Sequence, residues 1–184
     1  MGAKVVKADA GIIAVLADCH IHPGGGPEFP PHVLAALGDA HLIIALGDMG
    51  EAAGLDQLEA ITTVVGVRGQ DDADDPRTDA QALVVEAHGF RFGCVFDATA
   101  AGLATASDPF APAADFAAAA ERLFGGRVDM VLHAGTHRPS SDAVGDVRLL
   151  NPGSAILPAE RAAPAFGRIE IGAGGFDPQI VFLG

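Results

Sequence analysis

Short apolar runs, separated by segments with helical spacing, dominate the first part of the chain. Residues 12–16 and 41–46 hold nearly unbroken runs of Ile, Val, Leu and Ala, which are typical of strands buried on both faces. Apolar residues three or four positions apart predict a helix that begins at Pro31 and a short helix that carries Leu55 and Leu58. A β-branched run follows the second helix. The order β-α-β-α-β favours parallel strands joined by right-handed crossovers.

The rest of the chain predicts more strands and a further helix. His88-Gly89 separates two apolar runs, so we interpret this pair as a hairpin turn and His88 as a turn residue. Helical spacing over 116–124 predicts a helix, and the tail over 147–182 predicts three strands. The other predicted strands are 62–67, 82–86, 90–96 and 130–133. The sequence therefore predicts an α/β fold, a layered mixed β-sheet sandwich flanked by helices, in a single domain over residues 1–184.

Composition and charge limit the partners. The chain has 184 residues, 49% of them hydrophobic, with a formal net charge of -13 and a pI near 4.6. A nucleic-acid polymer or an anionic membrane would repel such an acidic protein, so neither is expected, and a small phosphate substrate would need a local cation. Cys19 and Cys94 lie in predicted strands or at their ends, which favours buried thiols in a reduced, cytoplasmic setting. No segment approaches the ~20 apolar residues that span a bilayer.

Acids and an imidazole follow the first two buried strands. Asp18-Cys19-His20 comes after the first run, and Gly47-Asp48 comes after the second. Because parallel strands bring their carboxyl ends to one edge of a sheet, these side chains are expected to converge there. Convergent carboxylates and imidazoles are typical ligands of transition metals. The glycine-rich loop over 22–27 lacks the pattern of a phosphate-binding loop, so the two motifs point to a metal site instead.

Five short motifs occur in a fixed order along the chain. They are Asp18-x-His20, Gly47-Asp48, Gly69-Gln70-Asp71-Asp72, Thr136-His137 and Asn151-Pro152-Gly153-Ser154. With these motifs the chain resembles the calcineurin-like metallophosphoesterases, in particular the small bacterial and archaeal phosphodiesterase branch that also includes the retromer subunit of this fold. The resemblance spans essentially the whole chain. It implies a four-layer α/β/β/α sandwich with two metal positions bridged by Asp48.

The resemblance implies a complete first metal position. Its ligands would be Asp18, His20, the bridging Asp48 and His137. Two imidazoles and two carboxylates suit manganese, iron or zinc better than calcium. Asp48, Asp72 and Arg138 are expected to serve catalysis, with Asp72 supporting the site. Arg138 and Arg68 could each meet a substrate phosphate or only neutralise nearby acids.

The same resemblance implies that the second metal position is degenerate, because several of the family's ligands are replaced in this chain. Gln70 stands where the family has asparagine, and it remains a candidate ligand although its extra methylene displaces the amide oxygen. Phe96 aligns with one ligand histidine, and Gly135 takes the place of another. Asp71 replaces the histidine that acts as general acid in many relatives. We therefore expect one divalent ion per chain.

Other polar residues near these motifs admit two interpretations. His133 either leans toward the second position or is a strand histidine hydrogen-bonded in the interior, which we favour. Asp97 is either a replacement ligand or an exposed turn acid. His22 and the acidic run over 71–75 are most simply parts of solvent-facing loops.

These expectations favour a metal-dependent phosphoesterase. It would hydrolyse a phosphodiester or an activated phosphate ester through a metal-bound hydroxide, slowly because one ion replaces two. The altered second position favours an alternative, a catalytically degenerate member of the fold that acts as a binding or scaffold module. Besides a small phosphate ester, the expected partners are a second copy of the chain or another protein.

Overall fold

Two β-sheets and three helices make up the part of the chain that the computed structural model describes, residues 2–22, 28–103 and 113–184. The strands are β1 (Lys4–Ala8), β2 (Ile12–Leu16), β3 (Leu42–Ala45), β4 (Val64–Gly66), β5 (Ala82–Ala87), β6 (Phe90–Val95), β7 (Met130–Leu132), β8 (Pro139–Val144), β9 (Val147–Pro152), β10 (Ala165–Gly172) and β11 (Gly175–Phe182). The helices are α1 (Pro31–Ala36), α2 (Ala52–Glu59) and α3 (Ala113–Phe124). Most of the loop predicted over 22–27 lies outside the described residues. None of the described helices has the length and apolar character needed to cross a membrane.

The parallel strands predicted for the first part of the chain form the centre of a five-stranded sheet. Its order is β11-β10-β2-β3-β4. β2, β3 and β4 are parallel, with Ile13 opposite Leu42 and Ile43 opposite Val64, as the β-α-β-α-β pattern predicts. The C-terminal strands β10 and β11 extend this sheet in antiparallel fashion.

The second sheet has six strands in the order β1-β5-β6-β7-β9-β8. β5 and β6 form the predicted hairpin. His88 and Gly89 form its turn with φ of +48° and +87°, the positive values that tight hairpin turns require. β7 is parallel to both β6 and β9, so the carboxyl ends of these three strands share one edge.

The two sheets pack face to face through a buried core to which Ile13 and Phe92 belong. α1 and α2 cover the outer face of the five-stranded sheet, where Leu58 is fully buried. α3 covers the outer face of the six-stranded sheet and buries Phe124 there. This arrangement confirms the four-layer α/β/β/α sandwich.

The sequence pattern does not predict two strands, β1 and β8, which lie at opposite edges of the six-stranded sheet. β1 pairs in parallel with β5 and carries Lys4 and Lys7, a common protection of an open edge. β8 pairs with β9 and is exposed or half-buried along its whole length. Because edge strands can be polar, neither segment shows the apolar run that identifies a buried strand.

Candidate metal centre

The segments after β2 and β3 run side by side and carry three of the predicted ligands. The backbone N–H of Asp18 donates to the carbonyl of Gly47 (3.1 Å), and that of His20 donates to the carbonyl of Asp48 (2.9 Å). These bonds continue the pairing of β2 and β3 beyond the strand ends. The two acids and the imidazole therefore lie together at one edge of the sheet.

The four predicted ligands of the first position share an unusual backbone conformation. Six described residues other than glycine have a positive φ, and four of them are Asp18 (+52°), His20 (+48°), Asp48 (+50°) and His137 (+53°). This left-handed conformation is strained in residues that have a Cβ, and such strain collects at functional sites. The clustering indicates a constrained site independently of the sequence motifs.

The rings of His20 and His137 stack at the centre of the site. Their centroids are 5.1 Å apart and their Nε2 atoms are 3.4 Å apart. Nδ1 of His137 lies 2.7 Å from the carbonyl oxygen of Leu157, and Nδ1 of His20 lies 2.6 Å from Oδ2 of Asp71. Because carbonyl and carboxylate oxygens only accept hydrogen bonds, each Nδ1 is the donor in these contacts, and Nε2 of each ring is the nitrogen that faces the site. Oδ2 of Asp48 lies 3.9 Å from Nε2 of His20.

Asp18 is fully buried beside these rings. Its carboxylate accepts the backbone N–H of Gly135 (3.1 Å) and that of His137 (3.0 Å). Burial nevertheless raises the pKa of the Asp18 carboxyl, because the charged form loses its hydration. A bound cation would compensate for that loss.

Two donor separations can be compared with those expected around a divalent transition-metal ion. Two ligand atoms that bind one ion at ~2.1 Å lie roughly 3.0–3.6 Å apart. The separation of Nε2 of His20 from Nε2 of His137, 3.4 Å, lies within this range, and its separation from Oδ2 of Asp48, 3.9 Å, lies above it. In both rings Nδ1 donates to an oxygen acceptor, which suits ligation through Nε2.

Asp72 holds the loop that carries Asp48. Its carboxylate accepts four backbone N–H groups at 2.6 to 3.1 Å, from Asp48, Met49, Gly50 and Gly69. The Asp72 carboxylate thus binds the backbone of the loop, so its contribution to catalysis would be to position Asp48.

The Asn-Pro-Gly-Ser segment supports the other side of the site. Oγ of Ser154 donates to the carbonyl of Asp18 (2.7 Å) and accepts the backbone N–H of Leu157 (2.8 Å). Nδ2 of Asn151 donates to Oγ1 of Thr136, next to His137 (3.0 Å). The segment therefore fixes both Asp18 and the residue whose carbonyl orients His137.

A phenyl ring packs among the residues that correspond to the second position. A Cβ on Gly47 would lie 2.7 Å from Cδ2 of Phe96, and a Cβ on Gly135 would lie 3.5 Å from its Cζ. Neither Phe96 nor Gly135 offers a side-chain donor atom. Gln70 is exposed and lines, with Phe96 and Arg68, a cavity of about 650 Å³. Gln70 stays a predicted ligand.

The expectation of a solvated acidic run over 71–75, with His22 in a solvent-facing loop, holds for Asp71, Asp74 and His22, whose side chains are 43%, 90% and 38% exposed, but two of them also make contacts that the sequence did not predict. Oδ2 of Asp71 lies 2.6 Å from both Nδ1 of His20 and Nε2 of His22. These three side chains bring potential ligand atoms within 4.8 Å of one another. Asp75, by contrast, is nearly buried and pairs with Arg77 at 2.6 Å.

One sequence signal for the Asp71 contacts exists in retrospect. His20 and His22 are separated by a single residue, and their ring centroids lie 6.4 Å apart although His20 itself has a φ of +48°. No local pattern identifies Asp71 as the shared partner, since about fifty residues separate it from both histidines.

His133 lies on the wall of a different cavity, of about 410 Å³, together with Asp97 and Arg138. It is 8% exposed, in agreement with the interior position we favoured, and burial lowers the pKa of its imidazole. Asp97 is an exposed turn acid whose Oδ1 accepts the N–H of Ala100 (3.0 Å). Nη2 of Arg138 donates to the carbonyl of Glu160 (3.2 Å).

Comparisons with known proteins identify the family. Residues 12–174 match the model of the calcineurin-like phosphoesterase superfamily domain. A probable metallophosphoesterase of Methanocaldococcus jannaschii is 29% identical over 150 residues, 80% of this chain and 69% of that protein. Vps29 of Entamoeba histolytica complexed with zinc has a TM-score of 0.68 at 20% identity, covering 93% of this chain and 98% of that chain. A conserved protein of Streptococcus pneumoniae, described as a predicted phosphoesterase, has a TM-score of 0.63 at 18% identity, covering 94% of this chain and 90% of that chain. Because the family model matches most of its residues, this chain belongs to the calcineurin-like phosphoesterase superfamily.

Proposed function

We propose that this protein is a metal-dependent phosphoesterase that holds one divalent ion at Asp18, His20, Asp48 and His137. The observation that carries the proposal is the pair of imidazoles with Nε2 atoms 3.4 Å apart and both Nδ1 atoms engaged. The Nε2 atoms of both rings are thereby left to bind an ion next to Asp48. The substrate would be a small phosphodiester or an activated phosphate ester.

A divalent ion at these residues would supply a Lewis acid for a phosphoryl oxygen and would lower the pKa of an attacking water. The chain's own groups orient the site: Asp72 holds the backbone of Asp48, and the carbonyl of Leu157 holds the ring of His137. The cavity of about 650 Å³ includes Gly69, which packs against Asp48, and is large enough for the organic part of an ester. Arg68 on its wall pairs with the exposed carboxylate of Asp74 at 2.6 Å and would exchange this partner for the phosphate.

Manganese, iron and zinc are the ions that this donor set would select. Zinc has further support from the Entamoeba histolytica Vps29 structure of similar fold, which contains it. We propose one ion because Phe96 packs between Gly47 and Gly135, next to the predicted second position. A single domain over residues 1–184 and a cytoplasmic location belong to the same proposal, and the free, buried thiols of Cys19 and Cys94 support the latter.

A second candidate function is a binding or scaffold module that keeps the fold without turnover. The phenyl ring of Phe96 favours it, because one ion cannot clamp a phosphoryl group symmetrically. The similarity of fold to Vps29 also supports it. In this case the partner would be another protein or a second copy of the chain, and Asp18, His20, Asp48 and His137 would have only a structural role.

Metal content tests the proposed site without any choice of substrate. The protein is reloaded with manganese or zinc, desalted and analysed for metal per chain. We expect about one ion in the wild-type protein and almost none in His137→Ala. His32→Ala, which removes an exposed imidazole on α1, is the matched control and should keep the ion. A wild-type protein that retains no ion would refute the site.

Activity then separates the two candidate functions. The manganese-loaded protein is assayed on a panel of aryl phosphodiesters beside Asp48→Asn, which keeps the size of the side chain and removes its charge. Turnover well above that of the variant supports the phosphoesterase. A bound ion with no turnover on any member of the panel favours the binding module.

A further inference from the structure

A network of three side chains lies next to the proposed metal ligands. Oδ2 of Asp71 accepts hydrogen bonds from Nδ1 of His20 and from Nε2 of His22, both at 2.6 Å. The backbone N–H of Asp71 donates to Oδ1 of Asp48 (2.8 Å). Asp71 therefore contacts two of the proposed ligands, one through its side chain and one through its backbone.

The contact with His20 decides which nitrogen faces the ion. A histidine that ligates through Nε2 usually donates its Nδ1–H to a carboxylate or a carbonyl, which fixes both the proton and the ring plane. His137 has such an acceptor in the rigid backbone of Leu157. His20 instead relies on the side chain of Asp71, which is 43% exposed.

His22 supplies the rigidity that this exposed carboxylate lacks. An aspartate side chain at the surface has rotational freedom, and its hydrogen bond to His20 competes with water. The second hydrogen bond, from Nε2 of His22, restricts the carboxylate to the orientation that meets His20. His22 follows His20 by two residues, and its neighbour Ile21 pairs with Gly50, so the backbone next to this 38% exposed imidazole is held in place.

We propose that Asp71 and His22 are positioning residues for the metal ligand His20, with His22 acting only through Asp71. The inference rests on the metal site proposed above and adds to it the two residues that orient one ligand. Asp71 is the direct partner of His20, and His22 fixes Asp71. Neither residue contacts the ion.

The three residues could instead hold an ion of their own, since their ligand atoms lie within 4.8 Å of one another. Nδ1 of His20 would then have to exchange its proton for a metal bond while Nε2 serves the first position. The orienting role needs no such change, because the observed distances are those of hydrogen bonds. The two arrangements predict different metal contents.

The test measures cobalt binding by competition with a chelator, together with the visible spectrum of the bound cobalt. Asp71→Ala should weaken the affinity about 10–100-fold and alter the spectrum, because an outer partner of a metal-bound histidine is lost. His22→Ala should weaken it less, and His22→Gln, which keeps an N–H donor, should restore most of the loss. All variants should still bind one ion per chain. His32→Ala should match the wild-type protein in affinity and spectrum.

A double-mutant cycle tests whether His22 acts through Asp71. If it does, adding His22→Ala to Asp71→Ala changes the affinity no further. Additive losses would show that His22 acts independently of Asp71, and a fall in the number of ions in His22→Ala would show that it helps to hold an ion; either result would overturn the inference. Unchanged affinities in all variants of a protein that binds one ion would also overturn it. A wild-type protein that binds no cobalt would refute the proposed metal site, so the two failures are distinguishable.

Discussion

At the scale of single residues, Gly47 shows how the backbone of the site is fixed. Its φ is +99°, and a Cβ at this position would lie 2.7 Å from the backbone nitrogen of Gly69 and 2.7 Å from the ring of Phe96. A contact this short with backbone atoms cannot be relieved by rotating a side chain. Any larger residue at position 47 must therefore displace the loop that carries Gly69 or the segment that carries Asp48.

Gly47→Ala and Gly89→Ala form a matched pair for testing this constraint. Both glycines have a positive φ, but a Cβ on Gly89 meets nothing within 4 Å. Gly89→Ala should lower the free energy of unfolding only by the ~1–2 kcal/mol that the left-handed conformation costs a residue with a Cβ. Gly47→Ala should lower the free energy of unfolding by about 2 kcal/mol more, because of the clash, and should also bind metal more weakly. Urea denaturation and metal content measure the two effects, and equal losses of stability would contradict the steric role of Gly47.

At the scale of elements, Arg77 joins α2 to the segment between β4 and β5. Its guanidinium pairs with Asp75 at 2.6 Å and with Asp56 and Glu59 of α2 at 2.8 and 2.7 Å. Arg77 holds the pKa of the Asp75 carboxyl below its usual range. Since Asp75 is nearly buried, this pair is expected to contribute more than an exposed ion pair does.

The stability that Asp75 provides should depend on pH. Its pKa is lower in the folded protein than the value of about 3.9 in the unfolded chain, so the stabilisation is complete above that value and is lost as the pH falls through the folded-state pKa. Asp75→Asn should lower the free energy of unfolding by roughly 1–3 kcal/mol at pH 7, with the difference shrinking toward pH 2. Urea titrations across this range measure it. Asp74→Asn, at a neighbouring side chain that is 90% exposed, is the control, and a difference for Asp75→Asn that did not vary with pH would contradict the prediction.

The same scale shows what could be predicted from the sequence. β2 and β3 were predictable because strands buried on both faces consist of apolar residues whatever their partners are. β1 and β8 were not, because an edge strand is defined by the strand it pairs with, and polar residues are suitable there. The bonds from Asp71 to His20 and His22 likewise join segments about fifty residues apart, a distance that no local pattern covers.

At the scale of the whole molecule, the proposed site belongs to both sheets. Asp18, His20 and Asp48 follow strands of the five-stranded sheet, whereas Phe96 and His137 follow strands of the six-stranded sheet. Because each of the four proposed ligands belongs to a sequence motif, the first metal position could be predicted from the sequence alone. The packing of Phe96 between glycines from the two sheets depends on how the sheets face each other, and it became visible only in the structure.

Rebuilding the second position tests whether Phe96 limits the protein to one ion. The triple variant Phe96→His, Gly135→His and Gln70→Asn supplies the family ligands. A Cβ on Gly135 would meet Phe96 only at ordinary contact distance, 3.5 Å, and the φ of +83° at this position requires the new histidine to adopt the left-handed conformation that His20 and His137 already have. We expect about two ions per chain and at least a tenfold faster hydrolysis of an aryl phosphodiester, or about 1.4 kcal/mol of the several that a second ion can supply. Phe96→Leu, which keeps an apolar side chain without a donor atom, should still bind one ion. A folded triple variant that also binds one ion would show that groups other than Phe96, Gly135 and Gln70 exclude the second.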